Sequence, residues 1–401
     1  MIRIYAMTHR DFVPPPDPMY VPLHVGRAAH HVSAGDPILR FRGDDTGDSI
    51  SGKNPFFSEL TGLYWVWKND RESSAVGSCH YRRYLISDET GTLLTGEEIR
   101  ELLDSCDLIT TKNLQLNFPY EYGFNTHHKP EYLIETGRVM EELYPRDFPV
   151  FQRLIREPHT YFGNMLIAKR WVYDSYMEWL FSILFTLEQR ITVEEEDSYH
   201  RRIYGFISEF LLYVYVVSRG LHPKECKVGM TAEKSEVTAV KKRLAEYFEK
   251  GDYVGAREYF LEQKRLRPDI TMEASDITGE LHLAMQVIAT AGLEEKTYGR
   301  HILQRIHSFP ELMGYFSTLN HYAAASLTGA PLPEGEGWMK ANGVSAVARE
   351  VAKQVVSGAG SMKKAEAVAG AGTMKKAKAV SGAGSMKKAE AVSGSPSGER
   401  V

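Results

Sequence analysis

His80, Tyr81, Arg82 and Arg83 bring an imidazole, a phenol and two guanidiniums to one short stretch of the chain. Guanidiniums donate paired hydrogen bonds to phosphate oxygens, so the stretch suits a phosphorylated ligand; surface pairing of both arginines with Asp or Glu fits the same residues. Glu209 stands in the run Gly205-Phe206-Ile207-Ser208-Glu209 on an otherwise apolar helix. A carboxylate there is costly unless it faces a cleft or a partner, which makes Glu209 the first candidate for a general base, with an ion pair to Arg201 or Arg202 as the alternative. Asp48 is the second candidate base. Asp48, Lys53 and Asn54 sit at the mouth of a helix N-terminus, a natural anion site, where Asn54 would also serve as a plain N-cap. Thr8, His9 and Arg10 end a strand-like run, a place for ligand contact or for an ordinary turn. Asn125, His127 and His128 follow a stretch rich in Phe and Tyr; aromatic faces with polar tips suit sugar rings, and a mobile surface loop is the competing reading.

These groups need elements to hold them. Asn54 and Pro55 open a helix over residues 55–68, whose apolar stripe is Phe56, Leu60, Leu63, Tyr64 and Trp67, leaving Glu59 and Thr61 off the stripe. Strand signals at residues 2–6, 75–79, 107–111 and 164–168 alternate with helix signals at 96–104, 130–143, 148–156, 171–190 and 202–219. Thr95 and Glu98 have capping-box spacing at the second helix. That alternation predicts an α/β domain over residues 1–230, a mostly parallel sheet with flanking helices. Ligands of open α/β sheets lie at the carboxyl ends of strands, where residues 80–83 fall. Residues 8–48 read as one long loop. Residues 233–330 lose strand signals and predict a small all-α domain whose first helix pair looks like a tetratricopeptide-type hairpin, without a second copy at a fixed period. Residues 331–401 read as a disordered low-complexity tail with a Gly/Ala/Met/Lys repeat at 357–368, 369–380 and 381–392, units too short to pack on themselves.

The chain has 401 residues, 48 Lys and Arg against 52 Asp and Glu, and a net charge of −4, which gives no basic field for nucleic acid. Its 3 cysteines are few, odd in number and widely spaced, as for reduced core thiols. His24, His80, His127 and His128 lack zinc spacing. The N-terminus has no signal-peptide pattern, and the apolar stretches 179–187 and 203–217 are too short or too interrupted to span a bilayer. The expected location is cytoplasmic, with membrane contact only peripheral, at the inner face of the cell membrane.

Thr8-His9-Arg10, Pro22 to Gly26, the block 48–69, Cys79 to Tyr84, Asn164 to Lys169 leading into Trp179, and Gly205 to Glu209 together resemble the capsular polysaccharide synthesis glycosyltransferase family, long catalogued as a bacterial domain of unknown function. The resemblance covers roughly residues 1–230. It implies a glycosyltransferase A-like fold that moves a sugar from a nucleotide-sugar donor, UDP-activated, to a lipid-linked or oligosaccharide acceptor in capsule, exopolysaccharide or O-antigen synthesis. Hexosyl transfer is implied, and some relatives are linked to galactofuranose. On that resemblance Thr8, His9 and Arg10 meet the nucleotide and Arg82 and Arg83 the diphosphate, with Lys53, Asn54, Glu59, His80 and Tyr81 completing the donor site and Asn125, His127 and His128 facing the acceptor. Many enzymes of this fold hold a divalent metal on an Asp-X-Asp pair; here His80 to Arg83 occupies that place. The expectation is therefore a metal-independent, inverting mechanism without a cofactor, in which arginines neutralise the leaving group, and Asp44, Asp45 and Asp48 are the acidic alternatives for a metal. A non-catalytic sugar-nucleotide or glycan-binding subunit of a polysaccharide assembly is the rival. Such a binder needs Thr8, Arg82 and Arg83 but no base.

Overall fold

A computed structural model describes residues 1–271, 275–329 and 332–357. The repeats beyond Ser357 lie outside the described residues. The chain divides into two units, Met1–Ser235 with Leu266–Asp269, and Glu236–Arg265 with Ile270–Val401.

In the first unit β1 (Ile2–Thr8), β2 (Tyr20–His24), β3 (Arg42–Gly43) and β4 (Ala75–His80) run parallel in the order β3-β2-β1-β4. Residues 8–48 are therefore more than a loop. They supply two strands, short enough and so broken by Pro and charge that their alternation does not show in the sequence. β5 (Arg83–Ile86) turns back from β4 through Tyr81 and Arg82. β6 (Leu108–Thr111) is followed by β7 (Leu114–Gln115), which pairs with β8 (His159–Thr160) as a separate ribbon. β9 (Leu166–Lys169) lies antiparallel to both β4 and β6, and β10 (Pro223–Met230) runs parallel to β6 and antiparallel to β5.

The expected helix over residues 55–68 is two: α1 (Asn54–Phe57) and α2 (Leu60–Asn69), separated at Ser58, whose φ is +50°. Asn54 is not an N-cap. It has helical φ, and its amide donates forward to the Ser58 carbonyl at 2.7 Å and to Thr61 at 3.2 Å, closing the break. The apolar stripe continues across the break, which is why periodicity does not reveal it. α2 packs closely on the sheet through Gly62, where a Cβ would come within 2.4 Å of Met7 Sδ. α3 (Gly96–Ser105) carries the full Thr95/Glu98 capping box. The aromatic stretch expected as a loop forms α4 (Tyr120–His127), with Tyr120 stacked on Phe210 at 4.0 Å. α5 (Pro130–Leu143), α6 (Phe148–Leu154), α7 (Arg170–Glu188) and α8 (Ile203–Ser218) complete the cover. α7 and α8 are buried along most of their length, and Tyr204 of α8 stacks on Phe57 at 4.5 Å. Full burial of one such ring stabilises by about 2–3 kcal/mol, so these contacts fix where α8 presents Glu209.

The second unit packs α9 (Ser235–Glu249), α10 (Tyr253–Leu266), α11 (Glu280–Tyr298), α12 (Phe309–Leu327), α13 (Pro333–Ala341) and α14 (Ala346–Val356). Leu244, Phe248, Val287 and Phe316 centre its core, and Lys241, buried, pairs with Glu280 at 2.7 Å. Residues assigned from composition to the tail fold as α13 and α14 and contribute Met339, Ala348 and Ala352 to that core. Among the described residues, no helix is long and apolar enough to cross a membrane.

Candidate active site

The carboxyl ends of β1 and β4 lie side by side, Met7 opposite His80. The Tyr81 N–H donates to the Met7 carbonyl at 3.1 Å, which sets the Tyr81 ring beside the residues that follow β1. His9 meets this ring edge-on at 5.5 Å, Phe12 at 5.9 Å, and the Arg10 and Arg82 guanidiniums lie over it at 5.7 and 5.9 Å. Thr8 is buried, and its hydroxyl closes the turn by accepting the Arg10 N–H at 3.1 Å. Arg82 is also buried and donates to the Ala232 carbonyl at 3.4 Å. The structure thus brings together Thr8, His9, Arg10, Tyr81 and Arg82, with Arg83 next in the chain.

A second corner adjoins through His80. Before β9, Gly163 and Asn164 both have positive φ, +94° and +49°. Gly adopts this conformation without penalty and Asn tolerates it better than most residues. The kink places Gly163 between two side chains: its carbonyl lies 2.7 Å from His80 Nε2 and its N–H donates to Glu209 Oε1 at 2.8 Å. A carbonyl only accepts, so Nε2 carries the hydrogen. Asn164, 4% exposed, is the hub beneath. Its amide nitrogen donates to Glu59 Oε1 at 2.7 Å and to the Gly205 carbonyl at 3.2 Å, while its Oδ1 accepts from the buried Ser208 hydroxyl at 2.8 Å. The Ser78 hydroxyl of β4 donates to the Asn164 carbonyl at 3.0 Å. Three elements, α2, β9 and α8, therefore converge on one amide, and the break at Ser58 is what lets Glu59 reach it.

The electrostatics follow from this enclosure. Protein closely surrounds the Glu209 side chain, although the residue as a whole is only half-buried. Burial and the nearby Glu59 push its pKa up to about 8, against the opposing pull of the Gly163 N–H, Arg83 and Lys234. His80 is held below the usual imidazole range, first by burial, with Arg83 and Arg82 acting in the same direction and Glu59 and the Gly163 carbonyl against it. The pair is thus a neutral imidazole and a carboxyl able to exchange a proton near neutral pH.

The remaining expected site residues lie elsewhere. The Lys53 ammonium contacts Glu188 of α7 at 2.6 Å, and Asn54 is engaged at the Ser58 break and with His30 at 3.1 Å. Asp48 accepts from the Tyr64 hydroxyl at 2.9 Å, and its backbone is bracketed by Asn69; no contact joins it to Glu209. Asn125 and His127 are exposed on α4. His128 ends that helix among Phe206 at 4.6 Å, Phe124 at 5.0 Å and Tyr199 at 5.8 Å, and burial followed by His200, His127 and Arg202 pushes it down to about 3. Sequence reasoning missed Gly163 and Asn164 as organisers of the site. The signal available was a Gly-Asn pair, the two residue types most at ease at positive φ, directly before a buried strand.

A divalent metal does not fit this corner. Asp44 accepts from the Gly26 and Arg27 N–H groups and from Ser51, Asp45 pairs with Arg27 at 3.6 Å, and Glu59 is bound by Asn164. Among the described residues no group of three His, Cys, Asp or Glu side chains is placed to hold a metal. Cations and a committed imidazole stand where acidic ligands would be needed, and no step is derived through a metal.

A mixed α/β unit with a polar corner at the carboxyl ends of adjacent parallel strands has the architecture of a glycosyltransferase-like protein. The structure is similar to that of the bifunctional glycosyltransferase WbbM in its apo form, with a TM-score of 0.52 and 28% sequence identity, over 58% of this chain and 45% of that one. The chain thus spans less than half of WbbM. It belongs to the family described as a domain of unknown function, DUF4422, which matches residues 3–220 and so contains every residue of the corner from Thr8 to Glu209. No match was found among curated proteins.

Proposed function

We propose that residues 1–230 transfer a sugar from a UDP-activated donor to a glycan acceptor, with Glu209 as the general base. The observation that carries this reading is the Glu209 carboxyl, raised toward neutrality and aimed by the Gly163 N–H, with Arg83 close enough to act on it. A base is most effective when its pKa lies near the working pH. Arg82 and Arg83 hold the diphosphate and neutralise it as it leaves. The acceptor hydroxyl oxygen bonds to the anomeric carbon as the bond from that carbon to the diphosphate oxygen breaks. The electron pair leaves with UDP and the hydroxyl proton passes to Glu209. One base acting once gives inversion. The similarity to a glycosyltransferase supports the reaction class, and the parallel run β3-β2-β1-β4, with β5 and β9 antiparallel to it, supports the donor's place at the ends of β1 and β4. The reading extends to a hexosyl donor and a lipid-linked acceptor of capsule, exopolysaccharide or O-antigen type, met at the inner face of the cell membrane.

Incubation of the purified chain with a panel of nucleotide sugars and glycan acceptors, read as nucleotide release, tests this. Glu209→Gln is expected to cut turnover by about 10²- to 10⁴-fold with donor affinity nearly intact, and activity is expected to survive EDTA. UDP binding without nucleotide release from any donor would assign the chain to the binding-subunit class instead.

A further inference from the structure

Between the C-terminal half of α8, the start of β8 and β10 lies a shallow, open cleft of about 490 Å³ that none of the donor residues lines. Asn113, His159, Tyr161, Tyr213, Pro223 and Glu225 form its walls. We propose that this cleft binds a neutral hexose unit of the acceptor glycan, a reading that rests on the transferase assignment only for the word acceptor.

The chemistry of the walls selects the ligand class. Glu225 is fixed by two donors: the Tyr161 hydroxyl reaches its Oε1 at 2.8 Å and the Asn113 N–H its Oε2 at 3.1 Å. Each oxygen keeps a lone pair for a further donor, as sugar hydroxyls supply. A fixed carboxylate repels phosphate and other anions, which keeps the nucleotide diphosphate out of this cleft. Tyr161 and Tyr213 meet edge to face at 5.5 Å, so the half-buried Tyr213 ring is braced in one orientation and offers an apolar surface to the C–H face of a sugar ring. The volume lies within the roughly 300–1,000 Å³ typical of small-molecule sites.

Position links the cleft to the reaction. Tyr213 is four residues after Glu209 on α8, hence on the same face one turn away, about 6 Å along the surface. Tyr161 is two residues before Gly163, the residue that aims Glu209. A glycan seated on Tyr213 and Glu225 thus lies one helical turn along α8 from the base.

Saturation-transfer difference NMR on the full chain, with lactose, maltose, cellobiose and chitobiose as probes, tests the site without turnover. The expected result is signal transfer to at least one disaccharide, weakened about tenfold in both Tyr213→Ala and Glu225→Gln at unchanged melting temperature. Glu225→Gln keeps the side-chain shape and one acceptor, losing only the second of the two hydrogen bonds from Tyr161 and Asn113, which guards against loss of folding in the first variant. Silence from all four probes on the unmodified chain, or undiminished transfer in Glu225→Gln, overturns the proposal. A chain that binds disaccharides here and transfers no sugar refutes the transferase reading and leaves the cleft assigned.

Discussion

Replacing Glu209 with Gln should make the protein more stable, and only above acidic pH. In the folded chain burial and Glu59 raise this carboxyl from 4.5 to about 8, whereas in the unfolded chain it titrates normally. Below pH 4.5 both states hold the proton and no free energy separates them. Between 4.5 and about 8 the unfolded state has released its proton and the folded state retains it, so stability falls as pH rises, and above 8 the loss is complete. Each pK unit corresponds to about 1.4 kcal/mol, which puts the ceiling near 5 kcal/mol; the partial exposure of Glu209 screens the charge, and about 2 kcal/mol is the expected net effect. Gln keeps an oxygen for the Gly163 N–H and has no proton to lose. Thermal melts of both chains at pH 3.5 and pH 8.5 should therefore coincide at the lower pH and separate by about 5 °C at the higher, with the variant melting later. The same proton should appear in the rate of the unmodified chain as an ascending limb centred near pH 8. Melting curves that shift with pH to the same extent in both chains would refute the raised carboxyl and with it the assignment of Glu209 as base.

Arg83→Ala should weaken UDP binding about tenfold or more, measured by calorimetry, with Arg83→Lys restoring only part because it lacks the planar fork; Arg82→Ala should do the same, and unchanged affinity in both Ala variants would remove the arginines from the donor site. His128 is held down to about 3, so the unfolded chain takes up a proton below pH 6.5 that the folded chain refuses, and stability is lost as pH falls from 6.5 toward 3. His128→Phe should flatten urea-denaturation midpoints across that window. A chain ending at Ser357 should keep the cooperative melt of the second unit, whereas one ending at Gly337 removes Met339, Ala348 and Ala352 from its core and should lose it, as circular dichroism would report.

Where the fold was legible, local chemistry dictated it. The Thr95/Glu98 box starts α3 because both partners lie within four residues, and Pro130 opens α5 because its ring is preorganised for a first helical turn. β10 was not legible. Pro223–Met230 carries charges at 224, 225 and 227, and becomes a strand only because β5 and β6 stand ready on either side. In the site, Arg82 and Arg83 stood out as a polar cluster with His80 and Tyr81 after an apolar strand, and Glu209 by its charge on an apolar helix, contrasts visible in one dimension. Asn164 did not, since an amide acquires its role only from partners brought to it in space. Asp48 and Lys53 drew notice by their position before a helix, yet Tyr64 and Glu188 engage them, and nothing in the apolar periodicity records either partner.

The Asn164 hub has a kinetic meaning as well. Its partners Glu59 and Ser208 lie 105 and 44 residues away along the chain, so the amide is satisfied only after long loops have closed. Contacts of that span form late, once the entropy of loop closure has been offset by the packing of α2 and α8. The corner that holds Glu209 is therefore expected to assemble late in the folding of the first unit. Damage to it should act on the rate of unfolding and leave the rate of folding almost untouched, so that a chain crippled at the hub would still collapse at normal speed and then fail to stay closed.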